Sequence, residues 1–244
     1  ASNDELFHTK PETVQFTADW IDDSKPLLVE PGMHRFVWDL RAALSQSMHP
    51  PHYPRAGALV VPGSYTVKLT VNGDTKTQPL VIKMDPRIHV SESALQKQFA
   101  LASQLNARNG EVAAAIQQAN ELKTQIATRT ANAAGNTRLL EWMTALQKEI
   151  DAEVEGEEGG GFELLSLPNK DLEPLHRTTD ALNSLAAIVE SADVAPTEDA
   201  MTAAAQWEDA ATKALARWQE LLRQRLSQLN EQLRKEHLEL LNPH

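Results

Sequence analysis

The spacing of apolar residues changes period once along this chain, near Asp85-Pro86, and that change limits what each part can fold into. Before it, side chains alternate. Phe36, Trp38 and Leu40 share one parity, while Arg35, Asp39 and Arg41 share the other, which predicts a half-buried strand. Tyr65, Val67, Leu69 and Val71 repeat the pattern with Thr66, Lys68 and Thr70 between them. Pro62-Gly63 signals a turn ahead of that run, and Asn72-Gly73 sits where a two-residue hairpin needs positive φ twice. The return strand then carries Leu80, Ile82 and Met84 on one face, and Asp85-Pro86 stops it. Thr13 to Trp20 reads as a further strand.

From Ser91 onward the period is helical. Ser93 and Gln96 stand at capping-box spacing. Leu95, Phe99, Ala102, Leu105, Val112, Ile116, Ala119 and Ile126 follow at steps of three, four or seven, which predicts one long amphipathic helix. Asn109-Gly110 is the point of strain within it, since glycine costs about 1 kcal/mol against alanine. A second helix is expected from Asn136 to about Asp151, and a third from about Asn169 to Glu190. Thr197 followed by Glu198-Asp199 opens the last, whose stripe runs through Trp207, Ala211, Leu215, Trp218, Leu222, Leu229 and Leu233. The expected class is α+β: residues 1–90 as an antiparallel β-sandwich-like module, and 91–244 as an antiparallel helical hairpin or bundle. A flexible acidic, glycine-rich loop is expected at 153–161.

With 23 Lys and Arg against 34 Asp and Glu, the net charge of −11 argues against nucleic acid or an anionic membrane as the main partner. No apolar run reaches the length of a bilayer span. Cysteine is absent, which removes disulfides and thiolate chemistry together. The N-terminal residues carry neither a basic start nor an apolar signal core, so an exported protein would have its address removed or placed elsewhere.

Candidate chemistry is sparse. His49 and His52 could pinch a metal, but Pro50-Pro51 between them forbids the one-face helical geometry that makes good ligand pairs. Glu155, Glu157 and Glu158, beside Gly156 and Gly159-Gly160-Gly161, could offer oxygens to calcium, although the spacing matches no helix-loop-helix calcium pattern. A mobile linker is the simpler expectation. Trp207 and Trp218 lie three helical turns apart and could stack on a sugar, against ordinary core packing, which is the usual fate of tryptophan. No nucleophile elbow, dinucleotide fingerprint or phosphate-cradling loop occurs, and no cofactor is implied.

Three segments are more specific: Pro31-Gly32-Met33-His34-Arg35-Phe36-Val37-Trp38-Asp39-Leu40-Arg41, the run Val61 to Val71, and Pro79 to Arg87. Together they resemble the C-terminal region of large exported bacterial proteins with sortilin-like or BNR-repeat β-propellers, often labelled glycosyl hydrolases. The resemblance spans roughly residues 30 to 235, firm over the β segments and loose over the helices. It implies an Ig-like or FlgD-like sandwich, entered part-way through, followed by a helical tail. It also implies an extracellular or periplasmic setting and an upstream propeller or other protein as partner. The chain itself has no propeller repeat and no Asp-box, and no catalytic residue carries over. The expectation is a non-catalytic accessory or interaction module. The alternatives are a carbohydrate-active protein or its sugar-binding appendage, and a homodimer formed through the helices.

Overall fold

The structure, a computed structural model, describes residues 32–43, 57–132, 136–156, 167–168 and 173–242. It is mixed α+β, dominated by helix. Strand β1 (Gly63–Val71) pairs antiparallel with β2 (Asp74–Ile82), in a register closed by Val71 opposite Asp74. Asn72 and Gly73 between them have φ of 52° and 89°, the two positive values a type I′ turn demands. Thr70 and Thr75, opposite one another, join their hydroxyls at 2.9 Å. Past β2, the Arg87 side chain and then its backbone N–H hold the Asp85 carboxyl below its usual range. Among the described residues the sheet has these two strands, so a complete sandwich is not shown. The expected strand at Thr13–Trp20 lies outside the described residues.

The strand expected at Arg35–Arg41 does not form. Among the described residues one bridge, Arg41 to Leu59, is all that pairs there, with Ala42 N–H to Ala58 C=O at 2.9 Å and Val60 N–H to Leu40 C=O at 2.8 Å. Two local facts end it. Leu40 takes φ 62°, outside any strand conformation. Continuing the register would set Trp38 opposite Pro62, which has no N–H to give. That register would also send Trp38 to the face opposite Tyr65. Instead the chain turns at Leu40, the Trp38 ring meets Tyr65 edge-on at 5.9 Å, and its indole N–H donates to Arg41 C=O at 2.8 Å. Phe36, expected inside, is exposed.

The helices are α1 (Glu92–Asn132), α2 (Thr137–Glu155), α3 (Leu175–Val189), α4 (Glu198–Leu221) and α5 (Ser227–Lys235), the last two joined through a π turn at Leu222–Leu226. The α1 cap is Ser91, whose hydroxyl accepts from Ala94 N–H at 3.2 Å. Ser93 is not the cap, because the helix has already begun, and Gln96 bonds Glu92 instead. Gly110 does not break α1. Its neighbour Asn109 is buried and donates to Asn183 at 2.6 Å. Asn136 caps α2 and Thr197 caps α4, each through a side-chain oxygen.

Cross-helix contacts give the arrangement. Lys123–Asp151 and Thr130–Met143 show α2 antiparallel to α1, and Gln98–Val189 and Asn109–Asn183 show the same for α3. Arg108–Glu208 and Gln118–Trp218 rise together, so α4 runs parallel to α1. α2 and α3 therefore lie end to end, each covering part of α1. The bundle is three rods, the middle one interrupted.

Glu153 and Glu155 belong to α2, not to a loop. Glu153 pairs with Arg217 at 3.1 Å, and the helix ends at Gly156, with φ 81°. Residues 157–161 of the expected loop lie outside the described residues. α3 starts at Leu175, because Pro174 is extended and occupies the cap position.

The core is helical: Leu105, Leu122, Ile126, Met143, Ile150, Leu182, Trp218 and Leu233 are fully buried. Trp218→Ala should therefore cost about 3–5 kcal/mol in urea denaturation, and Trp38→Ala, half-buried, under about 2 kcal/mol. Equal losses would place both rings in one core.

Candidate functional site

Among the described residues, polar contact fixes the β segment to the bundle at one point. Glu190 ends α3, where a carboxylate faces the negative end of the helix dipole. Its Oε1 accepts from Leu59 N–H at 2.5 Å, and its Oε2 meets the Arg41 guanidinium at 2.7 Å. Arg41 also donates to Gly57 C=O at 2.6 Å, and both side chains of the pair are largely buried, at 13% and 12% exposure. Gly57 stands at φ 88°, and a Cβ there would sit 1.9 Å from Ala42 C=O, so the bridge needs glycine. Sequence alternation leaves Arg41 free to pair with Asp39. The structure gives Asp39 the Arg41 backbone N–H instead.

Above this clasp the hairpin presents its apolar side chains outward. Val67, Leu69 and Val71, alternating along one face of β1, are 51%, 57% and 55% exposed. Val81 on the other face, and Met33, Phe36 and Val37 on the extended segment, are also exposed. An alternating strand face of this kind is built to be covered.

The other candidates fare differently. Trp207 and Trp218 are 4% and 0% exposed. The Arg177 guanidinium lies 5.7 Å from the Trp207 ring centroid, and the Trp218 indole N–H donates to Gln118 at 3.2 Å. Buried rings offer no open face to a sugar, so both are packing residues. Glu155 lies exposed at the end of α2, 3.4 Å from His176. His49, His52, Glu157 and Glu158 lie outside the described residues. Among the described residues no three His, Asp or Glu side chains converge as metal ligands, and no helix is long and apolar enough to cross a membrane. Trp142, half-buried, borders a groove of about 380 Å³ between α2 and the junction of the π turn with α5, with Glu141, Arg225 and Gln228. Sequence periodicity assigns Trp142 to the core face and misses this opening.

Comparison with family models, with curated proteins and with solved structures finds no match for this chain.

The clasp predicts a local effect. Glu190→Gln, or Arg41→Ala, should cost about 1.5–3 kcal/mol of β-segment docking and speed amide exchange at Leu59, Val60 and Ala42. The exchange of α1 amides should not change. Uniform acceleration through α1 would show that the clasp supports the whole bundle.

Proposed function

We propose that this chain is a non-catalytic interaction module of the C-terminal region of an exported β-propeller protein. The observation that carries it is the exposed apolar face of β1, held out from the bundle on a hairpin too thin to bury it. Two strands alone are marginal in water, and a third strand or a packed layer is what normally completes them. The helical core needs no such completion. Its apolar stripe is already buried along its length. The division of labour is a rigid helical base with a β surface offered to a neighbour. The resemblance of the β segments to propeller-linked sandwiches supplies the kind of neighbour.

The test joins the chain to the residues encoded before Ala1 and follows amide exchange across 63–82. A propeller there that slows exchange at Val67 and Leu69 supports the module. Unchanged exchange overturns it. A carbohydrate-active protein is the rival, and Trp142 is the indole it would use. No binding is expected on a glycan panel at millimolar sugar, and binding lost with Trp142→Ala would favour the rival.

A further inference from the structure

The two edges of the hairpin are not equivalent. In a two-residue hairpin the residues flanking the turn, Val71 and Asp74, exchange both backbone hydrogen bonds, and bonded and non-bonded pairs alternate from there. Ser64, Thr66, Lys68 and Thr70 then fall at non-bonded rungs, so their N–H and C=O groups point away from β2. Among the described residues nothing pairs with that edge beyond the Arg41–Leu59 bridge, where the neighbouring chain turns off at Leu40. On β2 the outward positions are Thr75, Thr77, Pro79 and Val81. Pro79 has no N–H and places its ring on the edge, which closes it to another strand. One edge is open and one is shut.

We propose that β1 pairs through its open edge, antiparallel, with β1 of a second copy of this chain, on a two-fold axis at Val67. The proposal rests on the reading of the hairpin as an interaction surface and assigns the open edge of β1, as distinct from its apolar face, to a second copy. The register follows from β1 itself. A two-fold at Val67 sets Ser64 against Thr70 of the partner subunit and Thr66 against Lys68 of the partner subunit, so every outward N–H meets a carbonyl. Tyr65 then lies opposite Leu69 of the partner subunit, an aromatic–aliphatic pair on the apolar face. Moving the axis to Lys68 would oppose two lysines, and moving it to Thr66 would oppose Thr70 to Pro62, which has no N–H. Because Pro79 shuts the other edge, association stops at a closed pair and cannot run on as a filament. The product is a four-stranded sheet, within the range where sheets are stable.

The absence of cysteine allows a direct test. Val67→Cys places thiols at a non-bonded rung across the axis, where antiparallel Cα atoms approach to about 4.5 Å. Mild oxidation should convert this variant to covalent dimer, while Gln78→Cys, on β2, should stay monomeric. Sedimentation of the unmodified chain should show a monomer–dimer equilibrium in the micromolar range, as a small interface gives. Thr66→Pro removes an outward N–H without touching the β1–β2 ladder, and should raise the dimer dissociation constant at least tenfold. Thr77→Pro, its counterpart on the closed edge, should leave it unchanged. Helical circular dichroism of each variant checks that the bundle is intact. A chain monomeric at about 100 µM, or a dimer indifferent to Thr66→Pro, overturns the proposal. The latter would assign assembly to the helices. A monomer whose β1 amides are nevertheless protected by an upstream propeller overturns this proposal while leaving the module reading in place.

Discussion

A single helix as long as α1, roughly 60 Å at 1.5 Å per residue, sets the terms for everything packed against it. Its buried stripe runs from Leu95 to Ile126, and each turn of that stripe needs a partner. The run α4–α5 supplies one, parallel and nearly as long, with the π turn at Leu222–Leu226 re-phasing its face so that Leu226, Leu229 and Leu233 stay inward. The third side is filled by two short helices laid head to tail. Arg217 fastens their junction, reaching Glu153 of α2 and the backbone carbonyl of Glu173 just ahead of α3. The C-terminal residues close the far end, where Asn230 exchanges hydrogen bonds with Leu241, and Gln125 exchanges them with Asn242.

The β segment depends on this bundle for its position but contributes little to its core. Among the described residues, Ala58 is its buried apolar residue, and the Arg41–Glu190–Leu59 contact is its polar anchor. Removing charge from Glu190 would cost more than a surface pair because both partners are largely withdrawn from water. The anchor lies at the root of the hairpin and leaves the strands beyond it uncovered.

Much of the fold is legible from local sequence. The turn at Asn72-Gly73, the cap at Thr197 and the stripe of α1 each arise from interactions spanning a few residues, which spacing encodes. What could not be read depends on pairings across the chain. The alternation at Phe36, Trp38 and Leu40 is genuine strand patterning, yet it is out of phase with the Arg41–Leu59 rung, and continuing that register would bring Trp38 to Pro62. Ser93 and Ser91 are both plausible caps by type, and the choice falls on the one that begins the helix. Acidic residues at 153–155 look like a loop until Arg217, sixty-four positions on, is known to lie beside Glu153. Glu190 shows nothing unusual in sequence, since both its partners are more than a hundred residues away.

The interrupted middle rod has a consequence for how this chain can change. Gly156 and Pro174 meet at the break, and a Cβ added to Gly156 would lie 3.0 Å from the proline ring. The end of α2 and the lead-in to α3 are thus in contact. A segment whose ends already touch can be lengthened at a closure cost that grows only with the logarithm of its length. The break is accordingly a port, where a tag, a peptide or a whole folded domain can be grafted while the three rods keep their register.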